Sequence, residues 1–192
     1  MFYSNNSEIE DGILAENWGG EVQRAPSDYL TINHTNLSDN SKDKSIGGKS
    51  SVSVNEGLNY KVTKDAGLLI GNLTITRSHA GSSSWPDGTN FNWTRVLVPE
   101  GSLLKTATMD GKDISKEITE DVESGKTSFG FYTKTAPQTS TVVSLTYVLP
   151  ISEHNYFLLI QKQSGNLGDN LEVTKDNKVL FNGILDTDKE IK

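Results

Sequence analysis

Two tryptophans stand near a long polar loop and are the residues of this sequence best suited to contact a ligand. Trp85 lies within SHAGSSSWPDGTN, residues 78–90, and Trp93 follows in the next apolar run. An indole offers a flat apolar face with one polar N–H, and long loops on β scaffolds often carry binding residues. We expect Trp85 to fold back as a lid over the end of the domain; the alternative is that it faces solvent.

Two arginines, Arg77 and Arg95, are further candidates for ligand binding. Both lie in strand-like runs on either side of the loop, so the sequence predicts that they sit on neighbouring strands. A cross-strand carboxylate partner is the common explanation of such an arginine, and an anion-binding site is the rarer one.

An alternating acidic set near the C-terminus consists of Asp186, Asp188 and Glu190. In a strand this spacing places three carboxylates on one face. Charge of this kind on an edge strand prevents sheet-to-sheet aggregation, and a metal site is the alternative interpretation.

Other patterns for metal or nucleophile chemistry are incomplete. Asp39, Ser41 and Asp43 match the first positions of a calcium loop, but Lys44 stands where glycine is required and Ser50 where the bidentate acid belongs. The histidines His34, His79 and His154 lack metal-binding spacing, no cysteine is present and no G-x-S-x-G elbow occurs. We therefore predict no catalytic residue, metal site or cofactor.

Composition and charge limit the class of partner. The chain of 192 residues has a net charge of -7, which argues against nucleic-acid binding or contact with an anionic membrane. No apolar run approaches the roughly 18 residues of a membrane helix, and MFYSNNSEIED lacks the basic and apolar regions of a signal peptide. We expect a soluble segment without its own targeting signal.

The most apolar stretch is residues 139–165, and it predicts two strands that neighbour each other. Val143, Leu145 and Tyr147 alternate with polar or smaller residues, as in a strand with one buried face, and Pro150 ends the run. Residues 156–160, YFLLI, are apolar throughout, as expected of a central strand covered on both faces. Leu145, Tyr147, Leu158 and Ile160 are the predicted core.

Strand-like runs separated by turn residues continue along the chain. Reversals are predicted at residues 64–67, 110–111 and 176–177, whereas residues 114–122 fit either a helical turn or an irregular strand. Val52 and Val54 are assigned to a long kinked strand or to two strands joined by a bulge. The sequence predicts a mainly β fold, a β-sandwich of immunoglobulin-like architecture spanning residues 27–192.

Residues 1–26 are predicted to form a short helix and a linker. Ser7 and Glu10 form a capping-box pattern, and Gly19 and Gly20 supply a stop. Ile9, Ile13 and Trp18 are expected to dock the helix on the sheet; the alternative is a frayed arm.

Several motifs resemble the C-terminal part of a family of bacterial exported proteins known as domain of unknown function 4012. The motifs are Asn36 with Lys42 and Lys44, TITR at 74–77, RVLVPEGS at 95–102, YVLP at 147–150 and LIQKQSG at 159–165. The insertion GGKSS at residues 47–51 departs from the pattern. The resemblance implies an extracytoplasmic piece of a larger membrane-anchored protein and brings no known activity.

The function predicted from these observations is a non-catalytic module that spaces or docks a larger cell-envelope protein. Its partner is expected to be another domain of its own parent chain, a cell-envelope protein or a glycan. The alternative function is a carbohydrate-binding or metal-assisted, carbohydrate-active domain.

Overall fold

The computed structural model describes residues 4–15, 20–37, 49–154 and 156–192. In these residues the chain forms two packed sheets and one short helix, which confirms the predicted mainly β sandwich. In chain order the elements are α1 (Ser7–Ala15), β1 (Asp28–Leu37), β2 (Val54–Asp65), β3 (Leu68–His79), β4 (Asn90–Pro99), β5 (Leu103–Met109), β6 (Lys112–Asp113), β7 (Thr119–Glu123), β8 (Lys126–Thr135), β9 (Ser140–Leu149), β10 (Leu158–Gln161), β11 (Asp169–Lys175), β12 (Lys178–Leu185) and β13 (Lys189–Ile191).

The described strands form a six-stranded sheet, ordered β13-β10-β1-β4-β8-β7, and a seven-stranded sheet, ordered β12-β11-β2-β3-β9-β5-β6. Most neighbouring strands are antiparallel, but β1 pairs with β10 in parallel and β2 pairs with β11 in parallel. These two parallel pairs arise because the C-terminal strands return to extend both sheets.

The two strands of residues 139–165 are not neighbours, so that prediction was wrong. β9 pairs with β3 and β5 in one sheet, and β10 pairs with β1 and β13 in the other. The chain after Pro150 crosses between the sheets instead of turning back. The predicted coverage of β10 on both faces is confirmed, since Leu158 is fully buried in the core and Leu159 packs outward against Tyr29 and Leu97.

The interior between the sheets divides into an apolar half and a polar half. The apolar half contains Leu30, Tyr60, Leu73, Phe129, Leu145, Tyr147 and Leu158, all buried. Farther along the same strand faces the polar half contains His34, Glu56, Arg77, Asn90, Asn92, Thr94 and Thr133. Strands β1, β2, β3 and β8 therefore change from apolar to polar side chains on their inner faces at about the same level.

The N-terminal helix begins as predicted but is capped by a different residue. The Asn6 side-chain oxygen accepts hydrogen bonds from the backbone N–H groups of Glu8 and Ile9, at 3.0 and 3.3 Å. Ile9 is 56% exposed, so its predicted docking on the sheet was wrong, and Trp18 lies outside the described residues. The following segment contributes Val22 and Ala25 to a small cluster over the outer face of the six-stranded sheet.

Local turn predictions hold where the turn residues determine the backbone. Positive φ angles occur at Ala66 and Gly67, at Asp110 and Gly111, and at Asp176 and Asn177, where the hairpins reverse. The uncertain segment 114–122 forms a 3₁₀ turn followed by β7. Val52 lies in a 3₁₀ turn, not in a strand, while the calcium-like positions Asp39, Ser41 and Asp43 fall outside the described residues.

Candidate functional site

The Trp85 indole faces solvent, and the lid prediction was wrong. Its side chain is 72% exposed. The loop is held by polar contacts, since the Asp87 carboxylate accepts from the Ser53 hydroxyl at 2.6 Å and from the Ser82 N–H at 3.0 Å. The Ser53 hydrogen bond, followed by the Ser82 N–H, holds the pKa of Asp87 below its ordinary value. Polar contacts close this loop, and burial of the indole is not needed.

Trp93 lies on the outer face of the six-stranded sheet beside an exposed tyrosine. It pairs across the strands with Tyr132, their ring centroids are 4.6 Å apart and the planes make an angle of 59°. Tyr132 is 68% exposed. The indole lies over Gly130, where a Cβ atom would come within 2.5 Å of the ring. With Phe91, two residues earlier on β4, these rings form what we call the aromatic face: Phe91, Trp93 and Tyr132.

Charged side chains border the aromatic face. Arg95 follows Trp93 on the same face of β4, and its Nη1 donates to both Glu123 carboxylate oxygens at 2.6 and 2.8 Å. The two side chains keep 34% and 38% of their surface exposed. On the other side, the Lys134 ammonium lies 5.0 Å from the centre of the Phe91 ring. Aromatic surface and hydrogen-bonding groups thus alternate across this sheet face.

Arg77 is not near Arg95, and the prediction of neighbouring strands was wrong. Arg77 lies on β3 in the seven-stranded sheet and Arg95 on β4 in the six-stranded sheet, because the loop between the strands crosses from one sheet to the other. The expected carboxylate partner is present for each: Glu56 stands opposite Arg77 across the strands, and Glu123 binds Arg95.

Glu56 is the centre of the polar half. Its Oε2 atom accepts from Arg77 Nη1 at 2.5 Å and lies 2.8 Å from His34 Nε2. Burial alone would raise the Glu56 pKa, but the charges and hydrogen bonds of His34 and Arg77 outweigh burial and lower it. The carboxylate is therefore ionised and held between the sheets, since His34 comes from β1 and Arg77 from β3.

Neighbouring amides and hydroxyls extend this network across the sandwich. Arg77 Nη2 donates to the Asn90 side-chain oxygen at 3.2 Å, and the Asn90 amide donates to the Ser50 hydroxyl at 3.0 Å. His34 Nδ1 lies 3.0 Å from the Thr94 hydroxyl. The network links both sheets to the 3₁₀ turn at residues 50–53.

A cavity of about 350 Å³ opens beside Glu56 at this end of the sandwich. Its wall includes His34, Arg77, Gln163 and the segment Ser164–Asp169. Asp169 is only 7% exposed, and its two oxygens accept from the Asn166 amide at 2.9 and 2.7 Å. Burial, followed by the nearby charge of Glu56, raises the Asp169 pKa.

A second buried carboxylate lies in the apolar half. Asp28 Oδ2 accepts from the hydroxyls of Tyr60 and Tyr156 at 2.8 and 2.7 Å, and Oδ1 accepts from the Tyr29 N–H at 2.8 Å. Burial raises the Asp28 pKa to about 6 despite these donors. Sequence reasoning missed this group, although an aspartate directly before the run YLTI could have indicated a carboxylate carried into the core.

Two glutamines at the end of β10 and just after it join loops to the sheet, as loop-binding side chains at a sandwich end are expected to do. The Gln161 amide donates to the Glu21 carbonyl at 2.7 Å and its oxygen accepts from the Tyr29 hydroxyl at 2.6 Å. Gln163 accepts from the His34 N–H at 2.9 Å and donates to the His34 carbonyl at 3.0 Å.

The three C-terminal carboxylates do not share a strand face, which corrects the prediction. Asp186 and Asp188 lie in the turn before β13, and only Glu190 is on that strand. Asp186 pairs with Lys189 at 2.6 Å, whereas Asp188 accepts from the Lys162 N–H at 2.8 Å and the Gln23 amide at 2.7 Å. Asp186 and Asp188 therefore have separate partners.

The part of the chain that the structure describes contains no group of three or more His, Asp or Glu side chains placed to hold a metal ion. Within the same residues, no helix has the length and apolar character needed to cross a bilayer.

Comparison with known proteins gives likenesses of fold only. No family model and no curated protein matches the chain. A Legionella pneumophila protein bearing the name of a nutrient-binding protein is 9% identical with a TM-score of 0.40, covering 63% of this chain and 50% of that one. Aminopeptidase A of the same species is 12% identical with a TM-score of 0.39, and the match covers 75% of this chain and 17% of that one.

An M1 zinc metallopeptidase of Deinococcus radiodurans is 13% identical with a TM-score of 0.34, covering 64% of this chain and 32% of that one. The chain spans half or less of the length of each of these structures. The chain is similar to parts of these larger bacterial proteins, and the motif resemblance described above stays a prediction.

Proposed function

We propose that this β-sandwich is a non-catalytic, glycan-binding module of a larger extracytoplasmic bacterial protein, and that the sugar lies on the aromatic face. The exposure of Tyr132 against Trp93 on an open sheet face carries the proposal. The extracytoplasmic setting rests on the motif resemblance alone.

The chemistry of the aromatic face suits a sugar ring. One face of a pyranose is lined by C–H groups, which pack against aromatic rings, and its hydroxyls need charged or amide partners around the edge. Tyr132 and Trp93 offer the rings, while Arg95, Glu123 and Lys134 supply donors and acceptors at the border.

The mixture of rings and charges favours a glycan over a docked protein domain. The buried centre of a protein interface is depleted of charged residues. Here Arg95 follows Trp93 on the same face of β4 and binds Glu123, and both charged side chains remain about a third exposed. A sugar can use these groups individually, because each hydroxyl both donates and accepts a hydrogen bond.

Co-sedimentation with insoluble glycans, namely peptidoglycan sacculi, chitin and cellulose, tests the proposal. Wild-type protein should sediment with at least one of them, and Tyr132→Ala should weaken that binding about tenfold, equivalent to about 1.4 kcal/mol. Tyr132→Phe keeps the ring and should bind nearly as well as wild type.

Trp85→Ala is the matched control, because it removes an exposed indole from a different part of the domain. It should bind as wild type does. A wild-type protein that sediments with none of the glycans contradicts the proposal. A loss of binding in Trp85→Ala with full binding in Tyr132→Ala would instead place the site on the loop.

A further inference from the structure

The cavity beside Glu56 is separate from the aromatic face. His34 and Thr94 point inward from β1 and β4 toward the polar half, whereas Trp93 and Arg95 lie on the opposite face of the same sheet. A ligand in the cavity would therefore sit between the sheets and not on the outer face.

One of the two carboxylates on the cavity wall, Asp169, has no cationic hydrogen-bond partner among the described residues. Glu56 and Asp169 contribute two carboxylates, and Arg77 contributes one guanidinium. The guanidinium is already bonded to Glu56, while the only described hydrogen-bond donor to Asp169 is the neutral Asn166 amide. A cation is the ligand group that would pair with Asp169.

Arg77 and Glu56 each also have one side-chain atom without a hydrogen-bond partner among the described residues. Among the described residues, Arg77 Nε has no hydrogen-bond partner although the residue is only 5% exposed. The same residues provide no partner for Glu56 Oε1, because Arg77 and His34 both approach Oε2. Buried polar atoms are almost always bonded, so a ligand acceptor would complete Arg77 Nε, and a ligand donor would bind Glu56 Oε1.

We infer that this cavity binds a small ligand in which an ammonium group adjoins hydroxyl oxygens, the arrangement found in an amino sugar. The ammonium binds between Asp169 and Glu56 Oε1, and a ligand oxygen accepts from Arg77 Nε. Gln163, Ser164 and Asn166 on the wall are placed to contact the remaining hydroxyls. A volume of about 350 Å³ lies in the range of small-ligand pockets.

Isothermal titration calorimetry with glucosamine and glucose tests the ammonium requirement, since these two sugars differ in one amino group. Glucosamine should bind at least tenfold more tightly than glucose. Equal affinities for the two sugars, or no measurable binding of glucosamine, would overturn the inference.

Asp169→Asn tests the site itself, because it removes the charge and keeps the size of the side chain. This variant should bind glucosamine at least tenfold more weakly than wild type. Asp186→Asn is the control, since Asp186 is an exposed carboxylate paired with Lys189 outside the cavity, and it should leave the affinity unchanged. Unchanged affinity in Asp169→Asn contradicts the inference.

Amide chemical shifts of the wild-type protein give a second readout that requires no variant to fold. Glucosamine should shift the N–H signals of Gly165 and Gly168, which line the cavity. Titration that leaves both signals in place rejects this site. Tyr132→Ala should show the same shifts as wild type, so this result is separate from the outcome for the aromatic face.

Discussion

Asp28 and Glu56 are both buried inside the same sandwich, yet their surroundings shift their pKa values in opposite directions. Asp28 lies in the apolar half and receives hydrogen bonds from two tyrosine hydroxyls and one backbone N–H, all neutral. Glu56 lies in the polar half beside the guanidinium of Arg77 and the imidazole of His34. The Asp28 pKa rises to about 6, whereas that of Glu56 falls below its ordinary value.

The difference shows what is needed to keep a charge between two sheets. Neutral donors stabilise a carboxylate, but here they do not fully replace the water that burial removes. A nearby positive charge does replace that water. Removal of either partner then leaves the other as an uncompensated buried charge. The apolar half therefore holds a carboxylate that can be neutralised near neutral pH, and the polar half holds one that stays ionised.

Removal of Arg77 should give the largest loss of stability among these predictions. Arg77→Met leaves the ionised Glu56 buried beside His34 only, and we expect a loss of about 3 to 5 kcal/mol in the free energy of unfolding. Urea denaturation followed by tryptophan fluorescence measures it.

The double variant Arg77→Met/Glu56→Gln is the control, because it removes the uncompensated charge together with its partner. It should recover a large part of the loss. If Arg77→Met alone were as stable as wild type, the buried ion pair would not stabilise the polar half.

The pH dependence of stability should be the second largest effect, and Asp28 sets its sign. Its folded pKa of about 6 exceeds its ordinary value of 3.8, so the folded state holds the proton more tightly than the unfolded state. The resulting stability is complete below the unfolded pKa and is lost as pH rises through the folded pKa, a fall of about 3 kcal/mol.

Urea midpoints between about pH 4 and pH 8 measure this fall, and Asp28→Asn should reduce the slope because the amide does not titrate. Glu56 acts in the opposite direction: its stabilising contribution is present above its ordinary pKa and is lost as pH falls through its lowered folded pKa. An unchanged slope in Asp28→Asn would show that other groups cause it.

Gly71→Ala should disturb the tyrosines around Asp28. A Cβ atom there would lie 2.6 Å from Tyr147 Cε2 and 3.0 Å from the Tyr60 hydroxyl oxygen. The rings must shift, and we expect a cost of about 1 to 3 kcal/mol in unfolding free energy, measured by urea denaturation. Gly57→Ala on the adjacent strand is the matched control, since its Cβ would meet nothing within 4 Å. Equal stability of the two variants would contradict close packing at Gly71.

The strands and hairpins could be predicted from sequence because their signals are local. Alternation in Val143, Leu145 and Tyr147 fixes the buried face of β9, and Asp110-Gly111 adopts the positive φ angles that reverse the chain. Sheet partners depend on where a connecting segment crosses the sandwich, which no local pattern records. For that reason β9 and β10 were wrongly paired, as were the strands of Arg77 and Arg95.

The candidate sites were harder to predict for the same physical reason. The burial of Asp28 depends on Tyr60 and Tyr156, and the cavity combines Glu56 with Asp169 from a distant strand. Trp93 lies on a strand, as predicted, but its partner Tyr132 was missed because cross-strand register is not visible in the sequence. For Trp85 the alternative expectation, exposure to solvent, is the one observed, because polar contacts and not apolar burial close its loop.

Tyr156→Phe should give the smallest effect and the sharpest test of the Asp28 environment. The Tyr156 hydroxyl donates to Asp28 at 2.7 Å, and the side chain is only partly buried, so water can replace part of the lost bond. A hydrogen bond to an ionised group is stronger than one to a neutral group, so the cost should be about 1 kcal/mol near pH 8.

Near pH 4 the same substitution should cost clearly less, because Asp28 is then mostly protonated. Loss of the donor also raises the Asp28 pKa further, so the variant's stability should fall more steeply with pH than that of wild type. Tyr132→Phe, on the exposed face, is the control and should change stability at neither pH. An equal cost for Tyr156→Phe at both pH values would mean that Asp28 keeps one ionisation state across the range, and the contrast between the two buried carboxylates would not hold.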